Sequence, residues 1–176
     1  AIIYNSLIAL AVIDNIGLEP KIGLAKLLEF KLTAGRGLLS EILIDNKNIT
    51  IIDDSYNSSL ASIDAGLSNA SKIKKSLHKK MLIAIIGDML ELGEKSTELH
   101  LQAMELISQH NVDLAILVGK ETNNASKYLK NVKYLNFYNS IDASQAILQY
   151  IENEDIIYIK GSRGIKLEEI VKKLQS

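Results

Sequence analysis

Cysteine is absent from all 176 residues, which excludes a disulfide framework and any metal site built on thiolates. An excess of charge is absent too, because 20 Lys and Arg stand against 21 Asp and Glu, for a net −1 at pH 7. No basic field points to nucleic acid and no polybasic run to an anionic membrane. No apolar run approaches the ~20 residues of a membrane-spanning helix, so membrane insertion is not expected. The first residues carry neither the charged stretch nor the cleavage site of a secretory leader, and the chain suits a cytoplasmic setting. Two phosphate-binding signatures are missing as well. Gly119-Lys120 lacks the upstream glycine spacing of a phosphate loop, and no Gly-x-Gly-x-x-Gly occurs. His78, His100 and His110 form no pair with metal-ligand spacing. There is no internal repeat or low-complexity segment.

Hydrophobic residues make up 47% of the chain, enough for a proper core. Residues 4–16 and 20–30 read as helices, the first stopped by Gly17 and the second opened by Pro20, the sole proline. Both are apolar on more than one face and must pack on something else. Residues 1–35 therefore read as the tail of a preceding domain and 36–176 as a second domain, with Lys31 to Gly37 as the linker. Residues 38–44 and 48–53 read as two strands joined at Asp45-Asn46-Lys47, a hairpin signal. Helices (59–77, 95–110, 122–130, 141–151, 165–175) then alternate with strands (81–87, 113–118, 133–138, 155–160). That order predicts an α/β fold: a Rossmann-like, mainly parallel sheet with helices on both faces, opened by a β-hairpin and preceded by two helices.

The richest stretch is Met81-Leu82-Ile83-Ala84-Ile85-Ile86-Gly87-Asp88, a strand buried on both faces that stops at a glycine and a carboxylate. Ligands of parallel α/β sheets bind at the carboxyl ends of strands. Asp88 and Glu91 therefore become candidates for a ligand amine or a neighbouring domain. Both equally suit the favourable negative charge at the start of the next helix. Asp53-Asp54-Ser55-Tyr56-Asn57 closes another strand. A carboxylate there can accept ribose hydroxyls or hold a metal ion, and Tyr56 can offer a flat face to a base. The same residues also read as a strand-end turn in which Ser58 or Ser59 caps the next helix. Lys160-Gly161-Ser162-Arg163-Gly164 follows the last strand. Two cations, a hydroxyl and two glycines in five residues suit an anion, though a solvated loop is the plainer reading. Arginine is scarce: only Arg36 and Arg163 stand among eighteen lysines, each beside glycine. Where lysine is the default cation, an arginine suggests that a planar, bidentate donor is wanted.

Asp53-Asp54-Ser55-Tyr56-Asn57, Gly87-Asp88-Met89-Leu90-Glu91-Leu92-Gly93 with His100 downstream, and Lys160-Gly161-Ser162-Arg163 occur together in one order. Together they resemble the C-terminal part of the Mur ligases. Tyr4 to Ala11 resembles the last helices of that family's central domain, and Gly35-Arg36 its interdomain pair. The resemblance implies a cytoplasmic, ATP- and Mg²⁺-dependent ligase of peptidoglycan synthesis, on the branch that joins D-alanyl-D-alanine to UDP-MurNAc-tripeptide through an acyl phosphate. It implies nucleotide contacts from Arg36, Asp54, Tyr56 and Asn57. Lys160, Ser162 and Arg163 would lie near the dipeptide, with Asp88 and Glu91 shaping its pocket. No residue of this chain is implied as catalytic or metal-binding. The phosphate loop and the Mg²⁺ carboxylates lie in the family's upstream domains, so this portion is expected to be inactive alone. Two other readings remain open: a phospho-acceptor receiver using Asp53, Asp54, Asp88 and Lys160, and a non-catalytic module that binds a partner domain.

Overall fold

The structure, a computed structural model, describes residues 2–29 and 33–176. Phe30, Lys31 and Leu32, expected at the end of the second helix and in the linker, lie outside the described residues. Two compact units are present, residues 1–32 and 33–176.

In the first unit, α1 (Ile2–Asn15) and α2 (Pro20–Leu28) are joined by a turn in which Gly17 takes φ 77°. Pro20 opens α2, where a missing N–H costs nothing. Gly23 lets the helices approach closely, because a Cβ there would run into Ile13. Tyr4, Leu7, Ile8, Val12 and Leu24 remain exposed.

The second unit holds six strands: β1 (Leu38–Ile44), β2 (Lys47–Asp54), β3 (Leu82–Gly87), β4 (Leu114–Val118), β5 (Lys133–Phe137) and β6 (Ile156–Lys160). Four helices connect β2 through to β6, α3 (Leu60–Ser76), α4 (Ser96–Gln109), α5 (Lys120–Ala125) and α6 (Ser140–Ala146), and α7 (Glu168–Gln175) follows β6. The sheet order is β1-β2-β6-β3-β4-β5. Only the β1–β2 pair is antiparallel. Its turn is shorter than the three residues expected: Asp45 and Asn46, both at positive φ, form it, and Lys47 already pairs with Ile44. Two successive positive φ values match the right-handed twist of a hairpin.

The core has two layers because strand side chains alternate. Leu82, Ala84 and Ile86 of β3 join Ile63 and Leu67 of α3 and Met104 and Ile107 of α4 on one face. Ile83 and Ile85 join Ile147, Ile170 and Leu174 on the other. Each fully buried Ile or Leu contributes about 1.5–3 kcal/mol by leaving water, so these strands anchor the unit. Gly66 sits inside α3, where glycine weakens a helix by roughly 1 kcal/mol. The reason is steric, since a methyl there would collide with the hydroxyl of buried Tyr158.

Helix boundaries shift in three places. The segment expected as a helix from 165 first makes a 3₁₀ turn at Arg163–Ile165, and Lys166 takes φ 60° before α7 begins. The helix expected over 122–130 starts at Lys120, because Gly119 at φ 128° turns the chain sharply out of β4. The helix expected over 141–151 tightens to 3₁₀ geometry from Ile147. No helix among the described residues is long and apolar enough to cross a membrane.

Candidate functional site

The strand order sets three polar strand ends side by side, because β6 lies between β2 and β3. Asp54 is level with Lys160, and Lys160 is level with Ile86, one residue before Gly87-Asp88. Parity then decides which face they share. Ile52 and Tyr158 both point into the α3–α4 layer, so Asp54 and Lys160, two residues further along each strand, point the same way.

Lys160 is nearly fully buried, yet its Nζ lies 2.7 Å from Asp54 Oδ2. It also donates to Asn57 O at 2.7 Å and to Asp54 O at 3.4 Å. Two of the ammonium's three protons go to these carbonyls, and the ion pair with Asp54 Oδ2 holds the charge. Lys160 therefore orients Asp54 and the Asn57 turn. The Tyr158 hydroxyl adds a longer donation to Asp54 Oδ2 at 3.4 Å. Burial, and then the charge of Asp54, push the Tyr158 phenol well above its usual range. Asp54 Oδ1 accepts no hydrogen bond from the described residues and is open to a ligand hydroxyl.

Asp53, beside it, does a different job. Its Oδ2 accepts from Gly35 N at 2.9 Å, and its Oδ1 accepts from the Ser55 hydroxyl at 2.6 Å. Gly37 N donates to Asp53 O, and Tyr56 N donates to Gly35 O. The Gly35-Arg36-Gly37 segment is thus fastened to the end of β2. Gly35 itself takes φ 77°, and a Cβ there would press on Tyr56. The resemblance named Asp54 alone for the nucleotide and gave Asp53 no role of its own. The signal available was position: odd and even residues of one strand face opposite sides.

The fastened segment places Arg36 with its guanidinium carbon 4.0 Å from the centroid of the Tyr56 ring. Arg163, leaving β6, lies 5.0 Å from the same centroid. All three side chains are exposed, and neither arginine pairs with a carboxylate among the described residues. Asn57 is exposed as well, its Oδ1 accepting from Ser58 N. The plainer reading of this stretch holds as well. Ser59, not Ser58, caps α3, in a reciprocal capping box with Ser62.

Asp88 is buried and accepts from Glu121 N at 3.1 Å and Thr122 N at 2.8 Å. It caps α5 across the sheet end rather than presenting an oxygen to a ligand, and Gly119 is required because a Cβ would strike the Asp88 carboxylate. The expected favourable interaction with a helix N-terminus is real, but the helix is α5, not α4. His100 holds the same loop from the other side. Its Nε2 accepts from Met89 N at 3.0 Å, and Nδ1 lies 2.7 Å from Ser96 O, a geometry that requires the Nδ1–H form. Glu91 stands exposed at φ 63° on the loop tip. Ser162 ties the β3 and β6 loops together: its hydroxyl accepts from Leu90 N at 2.9 Å, and its N–H donates to Asp88 O. A shallow groove of about 200 Å³ between α4 and α5 is lined by Thr97, His100, Glu121 and Tyr128. It includes none of Asp54, Tyr56 or the arginines, so the rim chemistry lies elsewhere. Among the described residues, no three His, Asp or Glu side chains cluster as metal ligands.

A mainly parallel α/β sheet whose polar strand ends meet where β6 is inserted, with helices on both faces, defines a doubly wound domain. The chain belongs to the Mur ligase family: residues 40–163 match the domain described as "Mur ligase, glutamate ligase domain". The UDP-N-acetylmuramoyl-tripeptide–D-alanyl-D-alanine ligase of Bacillus subtilis is 31% identical over 176 residues, covering 98% of this chain and 37% of that protein. The enzyme of the same name from Rickettsia prowazekii is 33% identical over 163 residues, covering 92% of this chain and 34% of its own length. In fold, the chain matches the MurF ligase of Thermotoga maritima in complex with ADP at a TM-score of 0.70 and 21% identity (94% of this chain, 36% of that one). It matches MurF from Acinetobacter baumannii at a TM-score of 0.76 and 21% identity (98% and 37%). The chain spans little more than a third of the length of these relatives. With family membership, and with both Asp88 oxygens bonded to α5, the phospho-acceptor receiver is set aside.

Proposed function

We propose that this chain is the closing part of an ATP-dependent ligase that joins D-alanyl-D-alanine to UDP-MurNAc-tripeptide in the cytoplasm, during peptidoglycan synthesis. Residues 1–35 would be the end of the central ATP-binding domain and 36–176 the closing domain. The observation that carries this reading is the β2–β6 rim, where Asp54, held by buried Lys160, stands two residues from an exposed ring attended by two arginines.

The residues fit a nucleotide. Asp54 Oδ1 accepts ribose hydroxyls, Asn57 lies toward the base, and Arg36, seated on the Tyr56 ring, reaches the phosphates. Ser162, with its hydroxyl proton free, lies near the dipeptide, and Arg163 stands beside it. Lys160 acts on that pocket through Asp54, while Asp88 and Glu91 shape its wall. The residues do not fit Mg²⁺ on their own, since no carboxylate cluster faces the rim. The metal and the phosphate loop would come from upstream domains. ATP supplies the phosphoryl group that activates the tripeptide carboxylate, and Mg²⁺ neutralises its charge. This chain's contribution is to orient the nucleotide, close off water and hold the attacking amine in line.

The test is phosphate release from ATP in the presence of both substrates. The 176-residue chain alone should give none. Adding a polypeptide that carries the N-terminal and central domains of a relative should restore it. Ligation by the chain alone would overturn the division of labour, and no ligation in any combination would overturn the assignment as a ligase.

A further inference from the structure

We propose that Arg36 and Arg163 grip one anion together, a phosphoryl group of a polyphosphate chain, with Tyr56 as the mount that spaces the two guanidiniums. This deepens the ligase reading and rests on it, and it moves Arg163 from the dipeptide to the nucleotide.

Twenty cations are available, and only these two are arginines. They come from distant parts of the chain and meet on the same ring, at 4.0 and 5.0 Å from its centroid. The two guanidinium carbons therefore lie no more than about 9 Å apart, the sum of those distances. Their backbones are held in place. Arg36 sits between Gly35 and Gly37, both bonded to Asp53. Arg163 follows Ser162, which is bonded to Leu90 and Asp88. Their side chains are exposed and lack a carboxylate partner among the described residues. Two like charges gathered on one ring repel, and an anion bound by both offsets that repulsion.

A planar fork matches two oxygens of the ligand. A carboxylate is satisfied by one fork, whereas a phosphoryl group or its neighbour in a chain has oxygens for two. Asp54, two residues before Tyr56, leaves Oδ1 for a sugar hydroxyl, which sets the polarity of a bound nucleotide: ribose toward Asp54, phosphates toward the arginines.

Tripolyphosphate is the probe, titrated into the 176-residue chain by calorimetry at low and at raised salt. The wild type should bind saturably, more weakly as salt rises. Arg36→Gln and Arg163→Gln should each weaken binding about tenfold, the effect of losing one charge-assisted bidentate contact. The double variant should fall short of the product of the two, since both act on one ligand. Arg163→Lys keeps the charge without the fork and should recover only part. Circular dichroism of these surface variants should match the wild type. No saturable binding by the wild type, or undiminished binding by Arg163→Gln, overturns the proposal. In the enzyme reassembled with upstream domains, Arg163→Gln should raise KM for ATP and leave KM for D-alanyl-D-alanine unchanged. The reverse pattern would overturn the shared grip while leaving the ligase reading standing. Tripolyphosphate binding without ligation in the reassembled enzyme would keep the grip and remove the ligase.

Discussion

Tyr158 shows how one buried hydroxyl links stability to the rim. It is 1% exposed, packed against Gly66, and faces Asp54. Burial and the neighbouring carboxylate raise its pKa well above 10. An unfolded tyrosine ionises near 10. The stabilisation from keeping this phenol protonated is therefore complete below about pH 10 and is lost as pH rises through and past that value. The unfolding free energy should fall on the alkaline side, and Tyr158→Phe should flatten that fall while costing about 1 kcal/mol or less near neutrality. Denaturant titrations at a series of pH values read both. An unchanged alkaline slope in Tyr158→Phe would remove the account. Asp155 works with the opposite relation to neutrality. Burial raises its pKa, partly offset by hydrogen bonds from Glu152 and Met81. Its desolvation penalty is absent below the unfolded value near 3.9 and grows as pH rises toward the folded one.

At the level of elements, the loop after β3 and the helix after β4 are fastened to each other rather than to a ligand. Asp88 replaces the missing side-chain cap of α5, whose N-cap residue is Gly119. Asp88→Asn keeps one acceptor but turns an N–H donor toward an amide, leaving a buried group unpaired. That should lower stability by about 1–3 kcal/mol, seen as a lower urea midpoint with the slope m unchanged. Exchange of the Glu121 and Thr122 amides should speed up more than that of the β3 amides. Equal acceleration everywhere would show that the loss is global rather than at this cap. Nothing in the sequence marked Asp88 as a cap for α5, because the two are 33 residues apart. The available hint was Gly119 closing an apolar strand.

For the whole molecule, the unit of residues 33–176 carries both layers of the core, and residues 1–32 form a compact unit of their own. The piece 33–176, made alone, should unfold cooperatively. Its midpoint should lie within about 4 °C of the longer chain, a shift equivalent to roughly 1 kcal/mol at this size. Loss of cooperative unfolding in that piece would show that the first two helices belong to its core.

Sequence by itself determined the alternation of strands and helices, a hairpin at Asp45-Asn46-Lys47, the stop at Gly17 and the polar ends of β2, β3 and β6. These are local matters of side-chain period, turn conformation and the length of apolar runs. The five motifs in one order also pointed to the family. Only the tertiary structure decided that β6 returns between β2 and β3, for strand order depends on long-range pairing that no local signal encodes. That insertion buries Lys160 against Asp54. It also brings Arg163 to the Tyr56 ring, because residues more than a hundred positions apart become neighbours only when the sheet assembles.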